Sequence, residues 1–130
     1  MGTKVVVDSS PLIAMSIAGK LDVLKKVFDE IYIPEKVYQE VVIEGEGLIG
    51  AKEVKSAKWV KIKKVKVPLL YSPFITGIDE GEIQVLALAK EIEADFVIMD
   101  ESLGRNVAKA LDIPVKGTLG VLLITHYKEL

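Results

Sequence analysis

The chain has 130 residues, half of them apolar, and a formal charge of −2 at pH 7; that suits one domain, residues 1–130, with one core, and gives no net cationic field to draw it onto nucleic acid. It contains no cysteine, which excludes disulfides, thiolate metal sites and cysteine nucleophiles together. No stretch approaches the ~18 uninterrupted apolar residues of a membrane span, and the N-terminus runs straight into strand-like Lys4-Val5-Val6-Val7, so the expectation is a cytoplasmic protein with no signal peptide and no membrane partner.

In chain order, Val5-Val6-Val7 is a short apolar strand ending at Asp8. Ser9-Ser10-Pro11 then reads as a helix start, with Ser10 as cap and Pro11 at the first helical position; the helix runs through Leu12, Ile13 and Ile17 and stops near Gly19. Leu21, Leu24, Val27 and Phe28 recur at helical spacing. Ile31-Tyr32-Ile33 is a second strand, and Pro34 closes it and opens a helix carrying Val37, Val41 and Val42. Gly45, Gly47 and Gly50 mark a loop before a Lys-rich helix from about Ala51 to Ala57, and Trp59-Val60-Lys61-Ile62 is a third strand.

Residues 67–77, with Pro68, Pro73 and Gly77, read as a long loop. Its stretch Val67 to Ile75 is apolar for a loop, which marks either a contact surface, in a homodimer or against a protein partner, or a loop folded onto its own core. A helix follows from Glu80 to Glu91, with Ile83, Leu86 and Ala87 facing inward. Phe96-Val97-Ile98-Met99 is a fourth strand ending at Asp100; Leu103, Val107 and Leu111 mark the next helix; Pro114-Val115-Lys116 is a fifth strand; and Thr118 caps a last helix to about Tyr127. Strands that are apolar runs, alternating with helices, imply an α/β fold whose parallel sheet is covered on both faces.

Charge is unevenly spread. Lys52, Lys55, Lys58, Lys61, Lys63, Lys64 and Lys66 crowd one stretch, which could follow a nucleic-acid backbone but equally describes a solvated face. Arg105 is the only arginine, Asn106 the only asparagine, and Gln39 and Gln84 the only glutamines, a Lys- and Glu-rich bias resembling hyperthermophile composition.

In open α/β sheets ligands gather beyond the carboxyl ends of strands, where strand order reverses. Asp8 and Asp100 each follow an apolar strand directly. If those strands are neighbours, two carboxylates converge, and their repulsion favours a proton or a cation between them. All-oxygen donors without Cys or His suit Mg²⁺ or Mn²⁺; the plainer alternative makes each an ordinary loop acid or helix cap. Glu40 borders the buried face marked by Val37 and Val41, as a partly inward acid or a rim residue whose stem covers apolar surface. Asp79-x-x-Glu82 matches a capping box, which by itself accounts for both acids; the other reading places Glu82 in the first helical turn beside the same crevice. Arg105 could clamp a phosphate or pair with Glu101 one turn away. The glycines at 45, 47 and 50 lack the Lys-Ser/Thr of a phosphate loop, Ser9 and Ser10 lack the G-x-S-x-G setting of a hydrolase nucleophile, and His126, with no second histidine, reads as a surface or helix-end residue.

Four segments, Val6-Val7-Asp8-Ser9-Ser10-Pro11-Leu12-Ile13, Ile33-Pro34-Glu35-Lys36-Val37-Tyr38-Gln39-Glu40-Val41, Asp79 to Ala89, and Ile98-Met99-Asp100-Glu101-x-x-Gly104-Arg105, together resemble the PIN-domain nuclease family. The resemblance is nearest to an archaeal and bacterial toxin-like branch with DE-x-x-GR and GTLG segments, the latter here Gly117-Thr118-Leu119-Gly120, and it runs along essentially the whole chain. It implies a three-layer α/β/α fold with a parallel five-stranded sheet in the order 3-2-1-4-5. It implies catalytic and metal-holding roles for Asp8, Glu40, Glu82 and Asp100, with Ser9, Glu101 and Arg105 near the substrate. The activity implied is divalent-metal-dependent hydrolysis of single-stranded RNA, by a toxin paired with an antitoxin protein or by an RNA-processing enzyme. Where many members carry a further acid in the Asp100 loop, this chain has Ser102 and Leu103, which puts a second metal ion in question. A catalytically inactive PIN-fold module that binds RNA or protein is the alternative. A phosphoacceptor receiver domain fits poorly, because Trp59 to Val65 offers no acceptor Asp.

Overall fold

The structure, a computed structural model, describes residues 2–66 and 77–129, the last five by backbone alone. The expected loop and contact surface at Val67 to Ile75 and the side chain of His126 lie outside the described residues.

The strands are β1 (Lys4–Val7), β2 (Glu30–Pro34), β3 (Val60–Lys63), β4 (Phe96–Ile98) and β5 (Val115–Lys116). They form one five-stranded sheet in the order β3-β2-β1-β4-β5, every pairing parallel. Hydropathy accounts for the placement. Val5, Val6 and Val7 have no exposed surface, as a central strand covered on both faces requires. Lys61, Ile62 and Lys63 of β3 are exposed, and alternating lysines suit an edge.

The helices are α1 (Ser9–Ile17), α2 (Val23–Val27), α3 (Glu35–Tyr38), α4 (Ala51–Ser56), α5 (Glu80–Glu91), α6 (Ser102–Ala110) and α7 (Thr118–Glu129). They flank the sheet as three layers. α5 lies on β1, β2 and β4 with α3 beside it, while α1 packs with α4 and α7, and α2 with α7. Between them Leu12, Met15, Leu24, Ile33, Leu86 and Ile98 are almost fully buried, and Phe28 meets Phe96 edge-on with ring centres 5.1 Å apart. Among the described residues no helix is long and apolar enough to cross a membrane.

Several local expectations need correction. Asp8, not Ser10, caps α1: its carboxylate accepts the Ser9 N–H, so the helix starts earlier and Pro11 falls two residues further in. Pro11 is still within the first turn, where its missing N–H has no helical partner to lose. The stop near Gly19 takes the form of a Schellman closure. Gly19, at φ 67°, donates to the Ser16 carbonyl and Lys20 to that of Met15. The helix after Pro34 changes form, its first turn continuing as a π turn over Gln39–Ile43 in which Glu44 N–H reaches the Gln39 carbonyl at 2.8 Å. The wider turn brings both Val41 and Val42 to the core.

In α5 the expected inward residues Leu86 and Ala87 are buried, but Ile83 is only half-buried; Glu82, Val85, Leu86 and Ala89 line up one above the other inside. On α6 the buried positions are Gly104 and Ala108, with Leu103 exposed and Val107 and Leu111 half-buried; small residues there let the helix lie close. Thr118 is the first residue of α7 and not its cap.

Candidate active site

The register of the sheet sets the site. Val7 stands opposite Ile98, and the Asp8 N–H donates to the Ile98 carbonyl at 3.0 Å, so the chains leaving β1 and β4 emerge side by side. Strand order reverses between these two strands, which is where an open parallel sheet leaves a crevice.

Asp8 is 5% exposed. Its Oδ1 accepts the Ser9 N–H at 2.8 Å. Burial pushes its carboxyl up to about 6; the Ser9 N–H opposes that rise, and the charges of Asp79, Glu40 and Asp100 add to it. Glu82 is 6% exposed, in the first turn of α5. Burial first, then Asp79, Asp8 and Glu101, push it up to about 7, with the Asp79 backbone N–H pulling the other way. The side-chain charges that act most strongly on these two residues are all negative. Glu82 Oε2 is buried with no hydrogen-bond partner, a costly condition for a carboxylate oxygen.

Glu40, half-buried on the π turn, accepts the Ser9 hydroxyl at 3.3 Å. Its carboxyl is raised by burial and by Asp79, against the Ser9 bond and the Lys36 ammonium. Ser9 therefore joins Asp8 through its amide to Glu40 through its hydroxyl. Asp100 is exposed, and Thr118 holds both of its oxygens, through N–H at 2.8 Å and hydroxyl at 2.6 Å. Glu101 is exposed, at the N-cap of α6 without a side-chain capping bond, and near enough to act on Glu82. Arg105 donates to the Met99 carbonyl at 3.3 Å and forms no ion pair with Glu101 among the described residues.

The glycines of the sequence segments supply space for these acids. A Cβ on Gly81 would collide with Glu40 Oε1, so this carboxylate rests against the first turn of α5, the positive end of its dipole. A Cβ on Gly104 would lie 3.2 Å from Glu82 Oε2, and one on Gly117 would lie 2.6 Å from an Arg105 guanidinium nitrogen and 3.1 Å from Asp100 Oδ1. Three acids and the only arginine depend on side chains that are missing.

The fold thus brings Asp8, Glu40, Glu82 and Asp100 to one strand end, with Ser9, Glu101 and Arg105 around them. The sequence presents Asp79 as a cap alone. It does cap α5, its Oδ1 accepting the Glu82 N–H at 2.8 Å, but it also acts on Asp8, Glu40 and Glu82. The available signal was the capping box itself, since an N-cap always stands at the mouth its helix opens on. All seven lysines of the lysine-rich stretch are exposed, and Lys61 among them is paired with Glu30 at 3.1 Å and lies over the Tyr32 ring.

The donor set is all oxygen, suited to a hard divalent cation, and the orphaned Glu82 oxygen is the atom such an ion would satisfy. Among the described residues no group of three or more His, Cys, Asp or Glu side chains is placed to hold a metal ion.

A family model described as a PIN domain matches residues 4–130. A PilT N-terminus domain protein from the hyperthermophilic archaeon Sulfolobus solfataricus P2 superposes with a TM-score of 0.69 at 15% identity, covering 95% of this chain and 93% of that one. A domain of a functionally unknown protein from Methanocaldococcus jannaschii DSM 2661 gives 0.59 at 21% identity, covering 88% and 90%. At these identities the likeness is one of fold. No curated protein sequence matches the chain.

Proposed function

The chain belongs to the PIN-domain family, a nuclease-type fold, and on that premise we propose that it is a metal-dependent endoribonuclease hydrolysing phosphodiester bonds in single-stranded RNA, with Mg²⁺ or Mn²⁺ held by Asp8, Glu40, Glu82 and Asp100. The observation that carries the reading is Glu82: a carboxylate 6% exposed, with one oxygen unpartnered and the negative charges of Asp79, Asp8 and Glu101 acting on it. Such an arrangement is unfavourable in a purely structural role and favourable once a cation joins it.

A bound divalent ion supplies an acidified water and neutralises charge on the phosphate oxygens. The chain's own contributions are orientation and charge. Ser9 orients Asp8 and Glu40 together. Thr118 fixes Asp100 at both oxygens. Arg105, tethered to the Met99 carbonyl at the end of β4, brings a planar guanidinium to the same crevice, where it can hold a phosphate oxygen.

One observation favours a second reading, an inactive PIN-fold module that binds RNA or protein. Asp8 and Asp100 are both engaged by backbone N–H groups, as capping acids are. Incubating the protein with a panel of single-stranded RNAs, with Mn²⁺ or Mg²⁺ and then with chelator, separates the two. Metal-dependent cleavage that is lost in Glu82→Gln supports the nuclease. RNA retention without cleavage under every metal tested supports the module. On the nuclease reading the setting is a cytoplasmic homodimer, acting as a toxin held by an antitoxin protein or as an RNA-processing enzyme; an adjacent small antitoxin-like reading frame would favour the former.

A further inference from the structure

The chain has only two glutamines, and both line the same polar hollow of about 300 Å³. Gln39 comes from the π turn and Gln84 from the first turns of α5. These are the two elements that carry Glu40 and Glu82, so the hollow and the acid cluster share their walls. Lys36 confirms the adjacency: it lines the hollow and its ammonium acts on the Glu40 carboxyl.

The lining is balanced. Lys36 and Lys64 are offset by Glu35 and Glu80, and Val65 adds an apolar surface. Two ammoniums against two carboxylates give a phosphate no net attraction. An uncharged heterocycle with donors and acceptors on its edge and a flat apolar face suits this lining, because primary amides present a donor and an acceptor together and single-stranded RNA offers unstacked bases to such sites. The contact already present, Gln84 Nε2 to Glu80 Oε1, is 3.5 Å long and easily exchanged for a stronger one.

Resting on the nuclease reading above, we propose that this hollow is the pocket for a nucleobase of the RNA strand next to the scissile phosphate, read by Gln39 and Gln84. In this way a cleft whose own chemistry addresses only the phosphodiester acquires a preference for sequence.

The chain's composition provides the probe. Gln39, Gln84 and Asn106 are its only side-chain amides, so a ¹⁵N spectrum of the whole protein shows three NH₂ pairs, and Asn106 is exposed on α6 as an internal control. Short single-stranded RNA should be titrated in with chelator present, so that no cleavage is required. The Gln39 and Gln84 pairs should shift together while Asn106 stays still. The double variant Gln39→Ala, Gln84→Ala should bind the same RNA about tenfold more weakly. If neither glutamine pair moves, or if the double variant binds as tightly as the parent, the pocket assignment is overturned whether or not the protein cleaves RNA. If both pairs move and the protein never cleaves, the pocket stands and the nuclease reading falls.

Discussion

Glu82 is the side chain least at ease in the fold. Its carboxyl is pushed from 4.5 up to about 7 by burial and by Asp79, Asp8 and Glu101, and Asp8 moves from 3.8 up to about 6 for similar reasons. The sign follows from linkage: with folded values above the unfolded ones, the native state binds more protons between them, and stability falls as pH rises through that window. Metal-free protein should therefore be less stable at pH 8 than at pH 5, by on the order of 1–3 kcal/mol in urea unfolding. Glu82→Gln, neutral throughout, should remove much of the slope and be the more stable form at pH 8. A flat profile, or one rising from pH 5 to 8, would contradict the assignment of Glu82 as a buried, uncompensated acid. The same variant should lose metal-dependent cleavage, because Gln keeps an oxygen but not the charge. Gly104 belongs to this scale too. A methyl there would press on Glu82 Oε2 at 3.2 Å, so Gly104→Ala should disturb that carboxylate without adding or removing any charged group.

The first turn of α5 is the element on which structural and chemical roles collide. Asp79 caps it through the Glu82 N–H, while its charge raises Asp8, Glu40 and Glu82. Two substitutions separate these effects. Asn caps about as well as Asp, so Asp79→Asn should retain the helix start, relieve the repulsion and melt higher than the parent at pH 8 without metal. Asp79→Ala gains the same relief but loses the cap, and should be about 1 kcal/mol less stable than Asp79→Asn. Equal melting temperatures for the two variants would show that the cap contributes nothing. The π turn is a second element with a function-sized consequence. By carrying Val41 and Val42 both inward, it leaves Glu40 at the rim, where Ser9 can reach it; a regular α-helical phase from Val37 would not bury both valines.

For the molecule as a whole, the acids converge from β1, the π turn, α5 and the end of β4, parts of the chain joined only through the sheet and its packing. A ligand that binds them together binds the folded state alone and stabilises it by mass action. Millimolar Mn²⁺ or Mg²⁺ should raise the melting temperature of the metal-free protein in a saturable way, and Asp100→Asn should blunt the rise. Indifference of melting to Mn²⁺ across the titration would remove the metal centre from the proposal. The effect should be larger at pH 8 than at pH 5, because protons compete for Asp8 and Glu82 at the lower pH.

What could be read along the chain was whatever local physics determines. Strands announced themselves as apolar runs, since a strand buried on both faces has no polar positions to alternate; α5 was bounded correctly because Asp79 and the apolar spacing act within a few residues. Asp8 and Asp100 were visible as acids ending strands. Periodicity holds no information on which strands are neighbours; their convergence follows from the sheet pairing that sets Val7 opposite Ile98. The burial of Glu82, the π turn under Glu40, the hold of Thr118 on Asp100 and the second role of Asp79 were beyond local reading. Each depends on what a distant segment places against the residue: Gly104 beside Glu82, and α7 beneath Asp100. Desolvation and repulsion between carboxylates are set by separation in space, and only the packed sheet, with its helices laid across it, establishes those separations.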